Sequence, residues 1–182
     1  MRLVFMVEEP SMKELLEILL PKILPENFEI PLVIPHNGKT DLAKSIPVKL
    51  RAWQNSNDRF IIVHDQDSSD CEQLKAELLS LCENSRNDYL IRIVCNELES
   101  WYFGDSTAVS NAYGKDYMHL ALKRKYRVSD RIKNVKQELK KIIPEYQPLS
   151  GARIIAGHMD VDRNTSKSFK AFVSGVKKMC VP

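Results

Sequence analysis

The chain has no Cys-x-x-Cys, no Gly-x-x-x-x-Gly-Lys-Ser/Thr phosphate loop and no apolar run of transmembrane length. Each absence removes a class of protein. The four cysteines (Cys71, Cys82, Cys95 and Cys180) lie far apart. That argues against a zinc site or a disulfide frame, and for reduced, mostly buried thiols in a cytoplasmic protein. Without the phosphate loop, any ATPase activity has to come from another chain. Nothing approaches the roughly 20 apolar residues that span a bilayer, so no membrane role is expected. Met1–Glu9 has too short an apolar run for a signal peptide, and acid follows at once. Internal repeats and low-complexity linkers are also missing.

The 182 residues have the composition of a soluble globular protein and are enough for one compact unit. The net charge of +3 is unevenly placed. Residues 1–114 carry 11 Lys/Arg against 18 Asp/Glu, whereas residues 115–141 carry 10 against 3. An acidic part (1–104, with an α/β pattern) therefore precedes a basic, mainly helical extension (105–182). A basic stretch is either a solvated helix face or a footprint for a phosphate backbone.

Apolar runs at Leu3–Val7, Phe28–Ile34, Arg59–His64 and Tyr89–Cys95 read as strands, and the second, interrupted by Pro31, as an edge. Between them lie helical stretches: one capped by Ser11 and running to about Leu24, one from Thr40 or Asp41 to about Trp53 that Pro47 threatens to break, and one capped by Ser68 or Ser69 with Cys71, Leu74, Leu78 and Leu81 as its buried stripe. Glu97–Tyr102 looks helical. The alternation predicts an α/β fold with a mostly parallel four-stranded sheet flanked by helices. Beyond Gly104 the expected pieces are helices at about 106–113 and 116–126 and a basic helix from Ser129–Asp130 to Ile143. A turn at Ser150–Gly151 and a last helix capped by Ser166 complete them.

Ligands of open parallel sheets bind beyond the carboxyl ends of the strands. Three of the four predicted strands end in acid: Glu8-Glu9, Asp65-x-Asp67 with Asp70 nearby, and Glu97 with Glu99. On an extended segment residues i and i+2 point the same way, so Asp65 and Asp67 would converge. Anions gathered this closely need a cation or protons, and hard oxygen donors suit Mg²⁺ or Mn²⁺. Asp70 and Ser69 read instead as helix-start residues. His36 and Lys39 follow the second strand, where a lysine either meets a phosphate or sits exposed in a turn. His64 reads as a packed strand residue and Cys95 as core. Trp53, Trp101 and Tyr102 read as packing residues.

Val7-Glu8 closing strand one and Asp65-Gln66-Asp67 closing strand three resemble the Toprim pattern. More specifically, the chain resembles the Toprim-related family catalogued as domain of unknown function 4276. The segments that carry the likeness are Leu3–Glu8, His36–Leu42, Asp65–Cys71, Glu97–Tyr102, Ser150–Arg153 and Ser166–Phe169. The resemblance implies a Toprim-like, Rossmannoid sheet with a C-terminal helical extension. It implies Glu8 as acid/base or metal ligand, Asp65 and Asp67 as ligands of Mg²⁺ or Mn²⁺, and Glu97 as a further ligand candidate. Lys39 is a catalytic candidate, and His36, Lys39, Arg153 and Lys167 are substrate-binding candidates; Arg153 and Lys167 either bind phosphate or orient acidic loops. Glu9 departs from the pattern, in which glycine often follows the Glu.

With no tyrosine in a topoisomerase-type context, hydrolysis is the Toprim chemistry that remains. The expectation is a metal-dependent nuclease acting on DNA or RNA, in anti-phage defence beside a partner ATPase, with a homo-oligomer possible in principle. The alternatives are a non-catalytic nucleic-acid or protein adaptor with an ion-stabilised acidic cluster, and a phosphotransferase or phosphatase working through Asp65.

Overall fold

Four apolar runs set the sheet of the computed structural model, which describes residues 1–181. They are β1 (Leu3–Val7), β2 (Leu32–Pro35), β3 (Arg59–Asp65) and β4 (Tyr89–Val94). All pair in parallel, in the order β2-β1-β3-β4. β1 is buried along its whole length, as a strand covered on both faces must be. Helices α1 (Pro10–Leu19), α2 (Lys39–Ala52) and α3 (Cys71–Ser80) are the crossovers, and the short α4 (Glu99–Phe103) follows β4.

The alternation of strand side chains splits the core in two. Val4, Met6, Phe60 and Ile62 face α2 and α3, packing on Leu42, Ile46, Leu74 and Leu78. Leu3, Phe5, Ile61 and Val63 face the other way, toward α1 and the C-terminal helices. Those helices are α5 (Ser106–Tyr113), α6 (Val135–Ile142), α7 (Pro148–His158) and α8 (Lys167–Met179). Ile155, Phe169 and Phe172 join Phe5 and Trp101 in one cluster, so residues beyond 104 share this core with the sheet. Lys22 donates to the carbonyls of Ala156, Gly157 and Met159, closing the end of α7 against the end of α1.

The expected α/β fold is present, with local differences. The N-cap of α1 is Glu9, because Pro10 pre-sets the first helical φ; Ser11 donates to the Glu9 side chain instead of capping. β2 begins only at Leu32 and is indeed an edge. α2 runs through Pro47 unbroken, because the proline costs one ladder bond while Leu42, Ile46 and Leu50 keep the helix seated. Asp70, neither serine, caps α3, accepting from Glu72 N and Gln73 N. Cys71 is exposed and Cys95 half-buried; of the four thiols only Cys82 is buried. The basic segment is less helical than its composition: a 3-10 turn at Met118–Leu122, another at Ser129–Arg131, then α6 after Asn134, which is left-handed. The Ser150–Gly151 turn is instead part of α7. There Pro148 starts the helix, and Gly151 gives the Tyr146 ring room that a side chain would take.

Candidate functional site

The ladder between β1 and β3 opens with Arg59 N–H donating to Arg2 O. Continued in register, it brings Asp65 N–H opposite Glu8. The Glu8 carbonyl is already taken by Gly38 N–H at 3.0 Å. The side chain closes the rung instead: Glu8 Oε2 accepts from Asp65 N at 3.2 Å and lies 3.2 Å from His64 Nδ1. Its side chain is only 12 % exposed. Burial raises the Glu8 carboxyl above its usual range; His64 and the Asp65 amide pull it part of the way back, and Asp67 and Glu9 push it up further.

Asp65 lines one small cavity with Glu8, and its carboxylate reaches on toward Leu98. Its Oδ2 accepts from Leu98 N at 3.2 Å, and its Oδ1 is buried with no hydrogen-bond partner. Glu99, 1 % exposed, accepts from Tyr146 OH at 2.7 Å through Oε1, while its Oε2 and the Tyr102 hydroxyl are also buried and unpartnered. Burial pushes the Asp65 carboxyl well above the ordinary aspartate value, and Glu8 and Glu99 add to the shift. Burial raises Glu99 too, against the pull of Lys136 and Tyr146. Lys136 is the cation of this region, 3.6 Å from Glu9 Oε2. Burial works against its ammonium, yet Glu99, Glu9, Glu97 and Asp65 hold its pKa above the ordinary lysine value.

Beside these acids opens a cleft of about 440 Å³, lined among others by Asp67, Ser69, Asn96, Glu97 and Lys133. β3 has ended by then, and Asp67 is left-handed, with φ 52°. The premise of an extended Asp-x-Asp therefore fails, and the two side chains have different partners. Asp67 sits 3.4 Å from Lys39 Nζ, and its amide donates to Asn96 O at 2.7 Å. Glu97 accepts the Lys136 amide at 3.0 Å. The segment that brings Lys133 to the cleft also carries exposed Lys123, Arg124, Arg127 and Arg131, none of them in a salt bridge among the described residues. Lys125 and Lys141, by contrast, are held by Glu138, and Lys115 by Glu145.

Residues 7–177 match the model of the family described as "Domain of unknown function (DUF4276)", nearly the whole chain. The chain belongs to this family. A solved structure, the C-terminal region of the Burkholderia pseudomallei OLD protein, is similar to this DUF4276 chain with a TM-score of 0.62, covering 98 % of each chain at 16 % identity. At that identity the likeness is one of fold. None of the curated proteins matches the chain.

In this DUF4276 protein, Glu8 and Asp65 meet directly, and Asp67, Glu97 and Lys39 border the adjoining cleft. Three candidates stand elsewhere. His36 is 4 % exposed; its Nδ1 donates to Val7 O at 2.9 Å, folding the ring under the loop, and its Nε2 is unpartnered. Arg153 forks onto Glu14, joining α7 to α1. Lys167 contributes its backbone N–H, 2.7 Å from Asp130 Oδ2, where α8 begins. Among the described residues, no three His, Cys, Asp or Glu side chains are gathered tightly enough to hold a metal as they stand.

Several residues of this region carried little or no signal in the sequence. His64 could have been found from register: Met6 pairs with Ile62, so two residues on Glu8 faces His64. Lys136 and Tyr146 had no such signal, because only the folding back of the C-terminal segment brings them over β3 and β4.

Proposed function

We propose that this DUF4276 protein is a Toprim-type nuclease. It would hydrolyse phosphodiesters of DNA or RNA with Mg²⁺ or Mn²⁺ at its acidic sheet edge, in the cytoplasm, in anti-phage defence beside a partner ATPase. The observation that carries the reading is Asp65: a carboxylate oxygen buried without a partner, in a small cavity that the Glu8 carboxylate also lines, where a parallel sheet binds its ligands. Family membership and the OLD-like fold are consistent with it. The partner, the defence role and the location rest on the Toprim resemblance alone.

The donors fit a hard divalent cation. Asp65 Oδ1 has no competing hydrogen bond, and Glu8 Oε2 is engaged while no protein donor among the described residues takes Oε1. Glu8 and Asp65 would hold the ion, and Asp67 and Glu97 line the adjoining cleft. Bound there, a divalent cation supplies charge stabilisation and an acidified water.

The remaining work falls to the chain. Glu8, its carboxyl pushed up by burial, is suited to hold or pass a proton at Oε1. Lys39, 62 % exposed and loosely paired with Asp67, can turn to a phosphate oxygen. Lys133 and the unpaired cations at 123–131 would track the backbone.

The test is a panel of plasmid, linear and single-stranded DNA and tRNA with Mg²⁺ or Mn²⁺, comparing wild type with Asp65→Ala/Asp67→Ala. Cleavage that needs metal and vanishes in the variant supports the nuclease. One observation favours the adaptor reading: Lys39 and Lys136 already neutralise part of the cluster from within. An adaptor would gain thermal stability with metal and turn over nothing.

A further inference from the structure

We infer that the exposed face of α8 holds the phosphate backbone of a nucleic-acid duplex beside the cleft. The inference deepens the nuclease reading, and rests on it only in that this duplex would flank the bond to be cut.

Residues 164–182 contain four lysines and no Asp or Glu. All four lysines lie in α8, whose exposed positions are Lys167, Lys170, Ala171, Ser174, Lys177 and Lys178. The spacing i, i+3, i+4, i+7, i+10, i+11 puts them on one stripe of the helix. Two lysines stand at each end, and the small residues between leave a backbone room to approach. None of the four is in a salt bridge among the described residues. A shallow groove of about 460 Å³ opens beside Lys170, Ser174, Lys177 and Lys178, and Asp162 is the acid that lines it.

An ordinary solvated helix does not account for this distribution. Solvated faces interleave charges of both signs. Lys177 and Lys178 complement the dipole at the C-terminal end, but the first turn holds Lys167 and no acid, against the dipole.

The stripe continues the cations beside the cleft. Asp130 accepts from Lys167 N through its carboxylate and from Asn96 Nδ2 through its carbonyl. α8 therefore begins against the segment that carries Arg131 and against Asn96, a wall of the cleft. It then runs away from the strand ends. Arg92 in β4 donates to Ala171 O, and Arg59, where β3 starts, donates to Met179 O. At 1.5 Å per residue, Lys167 to Lys178 span about 16 Å.

The face suits a duplex. Single strands are held by aromatic side chains on which bases stack. This stripe has none, because Phe169 and Phe172 are buried in the core. With its apolar side committed there, the helix has nothing to insert into a bilayer.

The test is fluorescence anisotropy of the full chain, in EDTA so that nothing is cut. The probes are a duplex of about 24 base pairs and one of its strands. The stripe variant is Lys167→Gln/Lys170→Gln/Lys177→Gln/Lys178→Gln. The control, Lys44→Gln/Arg51→Gln/Lys75→Gln/Arg86→Gln, removes the same charge from exposed positions in and after α2 and α3. The stripe variant should bind duplex at least about tenfold more weakly, and flatten the slope of log affinity against log salt by up to about 3.6, at 0.9 for each lost phosphate contact. The control, and the stripe variant with single strand, should stay within about threefold of wild type.

Equal losses in stripe variant and control would overturn the inference, as would a single strand that loses as much as the duplex, or a wild type that binds no duplex. Phosphatidylserine vesicles are the second probe. If they bind wild type and lose the stripe variant while duplex binding is unchanged, the face belongs to a membrane and the inference falls. Gln is close to Lys in helix propensity, so α8 should persist. Should the fourfold variant fail to fold, each end is changed alone. Each pair should flatten the slope by about 1.8, and a slope that neither pair changes overturns the inference. The expected binding pattern without cleavage on the panel would support the α8 track while the nuclease reading falls.

Discussion

The Asp65 amide donates to the Glu8 carboxylate at 3.2 Å, in the rung of the sheet where a main-chain carbonyl would ordinarily accept. The two acidic residues are thereby joined through backbone and side chain, and both border one small cavity together with Ser11 and Leu98. Beyond it Glu8 has His64 as a neighbour and Asp65 has Leu98.

The buried Asp65 carboxyl makes stability depend on pH in a definite direction. Below the ordinary aspartate value of 3.8 it is protonated in both folded and unfolded chains. As pH rises the unfolded chain loses the proton first, so the folded state binds more protons and stability falls until Asp65 ionises in the fold as well. Without divalent metal, the melting temperature of Asp65→Asn should gain on wild type as pH is raised from about 4 to about 8. A difference that stays flat over that range would contradict the burial argument. Taking the difference between variants removes carboxylates such as Glu138, held down to about 2 by Lys125 and Lys141, which act in the opposite sense.

Tyr146→Phe removes the one hydroxyl that satisfies buried Glu99 Oε1. Leaving a buried acceptor bare costs about 1–3 kcal/mol. Urea unfolding of the variant should show that loss. A variant as stable as wild type would mean that Glu99 has another donor.

Asp130 ties the basic segment to α8. Its carboxylate takes Ser166 Oγ at 2.6 Å, Lys167 N at 2.7 Å and Ser168 N at 3.1 Å. Asp130→Ala should cost about 1–2 kcal/mol, the scale of a lost helix cap. In hydrogen exchange the first turn of α8 should open before the middle of the helix does.

The unpaired cations predict how salt affects nucleic-acid binding. Neutralising Lys123, Arg124 and Arg127 to Gln should flatten the slope of log affinity against log salt by about 0.9 for each phosphate that is no longer neutralised. Neutralising Lys115, already held by Glu145, should change the slope little. Equal effects would mean that these lysines and arginines form no distinct track.

Much of this could be read from the chain. Short apolar runs alternating with amphipathic stretches announce a parallel sheet, and acids recur where such strands end. What the pattern does not contain is the left-handed turn at Asp67, which cancels the two-residue alternation and separates its partners from those of Asp65. Nor does it contain the return of residues 135–146 over the strand ends, which supplies Lys136 and Tyr146. Contacts of that length depend on how the helices stack, and no local spacing encodes them. Arg153 illustrates the converse: a cation that in the sequence could either bind phosphate or orient an acidic loop is held by Glu14 in the fold.

The proposed divalent cation would sit at the Glu8–Asp65 edge. The most direct measurement is Mn²⁺ binding by electron paramagnetic resonance, on wild type, Asp65→Asn and Asp70→Asn, the last altering an acid used only as a helix cap. The account predicts saturable binding by wild type and Asp70→Asn, and at least about tenfold weaker binding by Asp65→Asn. Binding that survives in Asp65→Asn unchanged, or none in wild type, would contradict it.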